Sequence, residues 1–441
     1  MKPRKSRSHY SGGASLEKKP EPKKLNALQI FLEEIIRPSS SPKGHRRGVS
    51  QAILIPLLAL FTGLVIGAIF IIFTSEDVYA AFGKSFGAGL AASWNSVASA
   101  YTALFTGSIG DPAGILAALK GGNALEIKKA FNPFLESLVA ATPYIFASLG
   151  VALGFRAGVF NIGAEGQLYM GAIFSTVVGY SLTGLSPWIH IPLALGAGAL
   201  GGALWGFIPG WLKAKTGGHE VINTIMMNYV AYNLSTWLLS GPMRRPGEFN
   251  PISPNIQPSA MLPNFFGPPT RLHLGFLIAL GMAVVVYWLI FKTTWGFELR
   301  TVGSNPKAAR YAGMNIVVVT ILGMTLSGAL AGMAGANEVL GVNHNLALSF
   351  SSGYGFDSIA LALLGKNNPV GVVLAALLFG TLRNGATRMQ VVSGIPIYII
   401  SVLQAIILAF IAAPAIIRTI YRLRAPKEGE EALTVRGWGG S

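Results

Sequence analysis

Residues 50–74 read SQAILIPLLALFTGLVIGAIFIIFT, twenty-five positions without one charged side chain. A helix needs about 20 residues to cross the hydrocarbon of a bilayer. Backbone N–H and C=O groups in lipid must bond within their own segment, so an apolar run this long reads as a transmembrane helix. Residues 274–291 repeat the pattern, and over the whole chain 51% of residues are hydrophobic while only 12% are charged. Soluble proteins carry about 25% charged residues. The fold class expected is therefore all-α integral membrane. Cysteine is absent, which removes disulfides and thiolate chemistry.

Outward from the first run, apolar segments alternate with loops rich in Gly, Pro and polar residues. Spans are predicted over Ser50–Thr74, Pro133–Phe155, Gly166–Leu182, Trp188–Leu212, Val221–Ser240, His273–Phe291, Asn315–Leu340, the short Phe356–Leu364, Val370–Leu382 and Ile395–Ala413. That is about ten helices. An even number with the N-terminus inside returns the C-terminus to the inside. The loops then predicted inside hold Lys213, Lys215, Lys292, Arg300, Lys307, Arg310 and Lys366, and the tail holds Arg418, Arg422 and Arg424. The loops at 184–187 and 341–354, predicted outside, hold no Lys or Arg. This is the bias expected of a membrane protein in the plasma (inner) membrane with both termini cytoplasmic. Arg383 and Arg388 do not fit it, and are expected to face the bundle interior or to snorkel.

The remaining segments are assigned by polarity. Residues 75–132 are expected to be extracytoplasmic. Their uncharged stretch 90–105 is diluted by Ser, Ala, Asn and Gly and reads as an interfacial helix, with Leu90, Trp94, Val97, Tyr101 and Leu104 on one face. A span there would reverse the charge bias of every later loop. The Pro-rich 241–272 is likewise too polar to span, and 293–314 falls inside. The transmembrane domain thus covers 50–417, followed by a cytoplasmic tail, 418–441. Residues 1–49 are expected to form a basic, disordered cytoplasmic tail; the first fifty residues hold a net +8, half of the chain's +16. Positive-inside retention near membrane lipids accounts for it, so no nucleic acid polymer is expected as a partner. The first apolar run starts too late for a signal peptide.

Three places carry the residues for chemistry. In RAGVFNIGAEGQ, 156–167, Gly158, Gly163 and Gly166 interrupt an apolar region. Asn161 and Glu165 lie four residues apart, a spacing that on a helix puts amide and carboxylate on one face. An acid at membrane depth should face the bundle interior or a wet cavity. The segment reads either as a broken helix lining a polar path, or as a lock of Glu165 on Arg156 or on backbone. In SGYGFDS, 352–358, and GKNNP, 365–369, a second glycine-rich break precedes Asp357 on a helix too short to span. Five helices separate the two breaks, so the two halves would be inverted repeats, a transporter signature with substrate near the midplane. In TWGFELRTVGSNPKAARYAGM, 294–314, Asn305 can cap a helix running from Pro306 to Gly313. Ala308, Ala309 and Ala312 keep it slim and Lys307 and Arg310 make it basic, which suits docking into another protein's groove.

Other chemistry is not supported. A phosphate-cradling loop needs Gly-x-x-x-x-Gly-Lys-Ser/Thr. Gly83-Lys84-Ser85 has its end, but Val78 stands where the first Gly belongs. Any ATP hydrolysis must come from another subunit. The six His are scattered and no His-x-x-x-His, Gly-x-Ser-x-Gly or paired-carboxylate cluster occurs, so neither a cofactor, a metal site nor an intramembrane catalytic site is expected. A secondary transporter driven by an ion gradient stays open, because broken helices with acids suit it too.

Residues 155–167 closely resemble the signature of ABC-transporter permeases of the nucleoside and simple-sugar branch, related to ribose and branched-chain amino-acid permeases. Residues 354–369 are similar to a later block of that family. The resemblance covers roughly 50–418. It implies an importer permease with substrate-path residues at Asn161, Glu165, Gln167, Phe356, Asp357 and Asn367. It further implies that Gly296, Arg300, Gly303, Asn305, Pro306, Ala308, Ala309, Arg310 and Gly313 form a cytoplasmic coupling loop. The implied partners are a cytoplasmic ABC ATPase subunit, a second permease subunit and an extracellular substrate-binding lipoprotein. The long N-tail and the expanded 76–132 region depart from the family's compact pattern.

Overall fold

A computed structural model describes residues 45–395 and 398–422. Most of the two expected tails, 1–44 and 423–441, lies outside the described residues. Helices α1 to α5 cover His45–Thr74, Glu76–Phe82, Phe86–Ile109, Pro112–Gly121 and Ala124–Arg156. Next come α6 to α9, Ala164–Ser181, Pro187–Thr216, Glu220–Ser240 and Gly275–Lys292. Then follow α10, Thr294–Ser304, α11, Pro306–Tyr311, and α12, Ile316–Glu338, which runs on into a wider turn at Val339–Asn343. The chain ends with α13 to α16, Tyr354–Leu364, Pro369–Ser393, Tyr398–Ala412 and Pro414–Ile420. Among the described residues, β pairing is limited to two isolated bridges.

Local chemistry sets the helix ends. Asp111, Asn123, Asn315 and Asn368 each accept a backbone N–H in the first turn they open. Pro112 and Pro369 take the first helical position, where the missing N–H costs nothing. Gly217 and Gly394 close α7 and α14 in the left-handed conformation.

Among the described residues, six helices are long and apolar enough to cross a membrane: α1, α5, α7, α9, α12 and α14. A seventh candidate is the pair α3 and α4, bent by 41°. The expected count of ten is not reached on that criterion, for a physical reason. In α6 the polar Glu165, Gln167, Ser175 and Thr176 are all buried, and α8 carries Thr224, Asn228 and Ser235 on its buried side. Interior polar faces lower the hydropathy of helices of spanning length. With 11 and 15 residues, α13 and α15 are roughly 16 and 22 Å long.

The centre of the bundle is α5, the most buried of the six, which packs against α3, α9, α12, α13 and α14. Beside it α7 and α12 approach along small residues. A Cβ on Gly202 would sit 2.6 Å from the Gly332 Cα, so no larger residue fits. Lipid gives two apolar helices little reason to associate, and close backbone packing through small-xxx-small spacing supplies it. The expected apolar stripe of α3 is redistributed. Ser93, Ala100, Ala103, Leu104 and Gly107 face the protein while Leu90 and Trp94 are exposed. Small residues let α3 lie lengthwise on α14, where the Ser108 hydroxyl donates to the Thr381 carbonyl at 2.8 Å, rather than resting on its bulky face.

The two ends of the bundle differ. At one, the 241–274 loop lies over the ends of α6 and α12: Gln257 N–H donates to the Gly179 carbonyl and Leu262 N–H to that of Leu340. Arg271 binds both oxygens of Glu136, in the first half of α5, the closest contact 2.6 Å, and this carboxylate raises the guanidinium's pKa. At the other end stand Arg156, Asn367, the Lys213–Glu220 ion pair and α10–α11.

Candidate functional site

The first break lies between α5 and α6. Helix α5 ends at Arg156, and Gly158 turns the chain with φ +73°. Asn161 therefore sits in non-helical chain, and the expected helical pairing of Asn161 with Glu165 does not form. Asn161 instead donates to the Gln167 side chain at 2.7 Å and to the Ser327 hydroxyl on α12 at 2.8 Å, and accepts from Gly163 N–H at 3.0 Å. All its polar atoms are used, which lets a buried amide persist without water.

Glu165, 2% exposed, turns away from Arg156 and accepts the backbone N–H of Gly355 at 2.6 Å. Gly355 belongs to the second break. A Cβ there would lie 2.7 Å from the Ala164 carbonyl carbon, so the two breaks touch backbone to backbone. The helix is broken here, and within the break Glu165 is held on backbone rather than on Arg156. Arg156 donates to the Asn367 carbonyl at 3.0 Å and lies over the Phe291 ring.

Beyond Gly355, Asp357 accepts the Tyr144 hydroxyl at 2.8 Å, and Arg383 donates to that same hydroxyl at 2.5 Å. Arg383 lies 3.6 Å from the Asp357 carboxylate, with its guanidinium 4.8 Å from the Tyr354 ring centroid. Arg383, which the charge rule left unexplained, thus faces the interior. The group borders a cavity of about 470 Å³, also lined by Ser352, Phe379, Tyr398 and Gln404. Ion pair, hydroxyl and aromatic faces together can hold a small polar solute with an apolar side.

On the Arg156 side the capped helix is as the sequence predicts: α11 opens with Asn305 accepting Ala308 N–H at 3.0 Å and Pro306 in first position. Ala309 is fully buried among Ala157, Val159, Leu299, Val302, Val319 and Met324. Gly296 packs on the backbone of α9, and Gly303 packs on Gly158 and Ala157. Arg300 shares the Phe291 ring with Arg156. The outward face carries Asn305, Pro306, Lys307, Ala308, Arg310 and Gly313, with Tyr311 94% exposed.

Of the sequence-predicted path residues, Glu165, Phe356 and Asp357 come together at the paired breaks. Asn161 and Gln167 form a separate lock on α12, and Asn367 lies at the far end of α13 beside Arg156. Sequence reasoning missed Tyr144, Tyr354 and Asn228, whose side chain binds the backbone of Ile162 and Gly166. For Arg383 the signal was present, since a charge in an apolar helix marks a buried partner. Aromatic residues in apolar helices give no such signal.

The model for the branched-chain amino acid transport system / permease component family matches residues 134–412. The guanosine ABC transporter permease protein NupP of Bacillus subtilis is 40% identical over 373 residues, 83% of this chain and 95% of that protein. The nucleoside ABC transporter permease protein NupB of Lactococcus lactis is 36% identical, over 68% of this chain and 85% of that protein. The glucose ABC transporter permease protein TsgB13 of Haloferax volcanii is 38% identical, over 63% and 75%. No solved structure matches. The chain belongs to the branched-chain amino acid transport system permease component family.

Proposed function

We propose that this chain is the membrane-spanning permease subunit of an ATP-driven importer for nucleosides or related small polar solutes such as simple sugars. The observation that carries the reading is a continuous backbone contact. Gly303, in the segment that would receive an ATPase, packs directly on Gly158 at the first break. The break in turn holds the second one through Glu165 and Gly355. A push on α11 therefore has a packed route to the polar cluster, through α10, Gly158 and Glu165, and shifts of packed elements are one way such pushes are transmitted.

In this reading the exposed Lys307, Arg310 and Tyr311 meet a cytoplasmic ABC ATPase. A second permease copy or paralogue and an extracellular substrate-binding lipoprotein complete the importer in the plasma membrane. Both termini and 293–314 are cytoplasmic, 241–272 is on the outer side, and 75–132 reaches the outer side with α3 packed along α14. The names of the relatives favour ATP as the energy source over an ion gradient and offer nucleosides and glucose as solutes. The test is co-purification with an ATPase encoded alongside it, followed by ATPase assays with nucleosides, sugars and the binding protein. Stimulation by a nucleoside or a sugar is expected. An ATPase that neither binds the chain nor responds to any solute would refute the reading.

A further inference from the structure

We infer that a second cavity, on the α6–α8 side of the paired breaks, is a stacking site for a planar heteroaromatic ring, and so selects base-bearing nucleosides over plain sugars. This rests on the importer reading and decides between its two solute classes. The cavity, about 340 Å³, is lined by Tyr169, Tyr232, Ser235, Thr236, Leu348 and Ser349. A volume of this size suits a small organic ligand. Tyr169 stands one helical turn beyond Glu165 on α6, so the cavity adjoins the first break rather than lying on a remote surface.

Three features of the cavity suit a flat ring. The Tyr169 and Tyr232 rings meet at 76° with centroids 4.9 Å apart, and Tyr169 meets Phe350 at 59° and 4.8 Å. In these edge and tilted contacts no ring is stacked face to face, and offset stacking with a planar π system is one of the two arrangements aromatic rings favour. The Ser235 hydroxyl is buried and has no hydrogen-bond partner. A buried hydroxyl left unpaired is costly, and a base edge carrying N–H and carbonyl groups can satisfy it. Finally, no charged side chain lines this cavity, in contrast to the Asp357–Arg383 cavity. Hydroxyl-bearing Tyr169, Tyr232, Ser235, Thr236 and Ser349 also line it, which suits the ribose of a nucleoside beside its base, whereas a plain sugar would leave the aromatic rings without a π partner.

Stacking of a base on an aromatic side chain is worth enough that alanine substitution typically weakens binding about tenfold or more. The test uses the assembled importer, with its ATPase and binding protein, in proteoliposomes. Uptake of guanosine and of D-ribose is measured for wild type, Tyr232→Ala, Tyr232→Phe and Ser235→Ala, with the thermal melting of each purified complex as the check on folding. The expected result is ATP-driven guanosine uptake whose KM rises about tenfold in Tyr232→Ala with kcat little changed. Tyr232→Phe, which keeps the ring, stays within about twofold, and Ser235→Ala raises KM by several-fold. An unchanged KM in Tyr232→Ala overturns the inference, as does an equal loss in Tyr232→Ala and Tyr232→Phe. ATP-driven uptake of ribose but not guanosine overturns it while leaving the importer reading intact. Uptake of neither solute, with no ATP coupling, defeats that reading and the inference with it.

Discussion

Gly303→Ala is the smallest perturbation that reaches the contact between α10 and the first break. An ideal Cβ at this position lies 2.7 Å from the Gly158 nitrogen and 2.9 Å from the Ala157 carbonyl carbon. The Arg156 carbonyl oxygen is nearer still; comfortable contact between heavy atoms needs about 3.5 Å or more, so the two segments must part by roughly 1 Å or more. Neither side yields easily. The obstructing atoms are backbone, and Gly158 is held at φ +73°, where few other residues relax. Overpacking of this kind costs about 1–3 kcal/mol, and here the strain falls on the path from α11 to Glu165. The assay is the ratio of solute imported to ATP hydrolysed in proteoliposomes, with thermal melting recorded on the same preparation. The ratio should fall several-fold, with a lower melting temperature. Gly184→Ala serves as the control. It has φ +76° but open space around its Cβ, so it should cost about 1 kcal/mol of backbone strain and leave the ratio unchanged. A Gly303→Ala complex with wild-type ratio and melting would show that this contact transmits nothing.

Other outcomes follow from the same geometry. Glu165→Gln keeps an acceptor for the Gly355 N–H and should retain most transport, whereas Glu165→Ala orphans a buried donor and should cost about 1–3 kcal/mol in denaturation of the purified chain. A double-mutant cycle of Asp357→Asn with Arg383→Met should return a coupling of about 1 kcal/mol, because both side chains are partly solvated; zero coupling would make the pair incidental. Charge reversal at the exposed Arg310 should weaken ATPase binding without moving the melting temperature, and tight binding by Arg310→Glu would move the docking face elsewhere.

Much of this architecture can be read from residue order because long apolar runs have few alternatives to helix. The predicted starts at Ser50, Val221 and Val370 and the capped helix after Asn305 fall within about five residues of the helices observed. What the sequence hides is which face of a helix is interior. The polar faces of α6 and α8 place their side chains inward and lower their apparent apolarity, while the small residues of α3, not its Trp94 and Leu90, meet α14. Ala309 shows the same limit. Its small size suits an external groove and a tight core equally, and the structure buries it against α12. The meeting of Glu165 with Gly355 was also beyond sequence reading, because a backbone donor 190 positions away leaves no trace in composition.

The claim that a partner's ATP hydrolysis acts through residues 294–314 is tested most directly in sealed proteoliposomes holding this chain, its ATPase and the binding protein. Solute should accumulate only when ATP is supplied on the side that exposes Arg310, and should keep accumulating when ionophores collapse every ion gradient. Accumulation by the chain alone, driven by an imposed proton or sodium gradient with no ATPase present, would contradict the account.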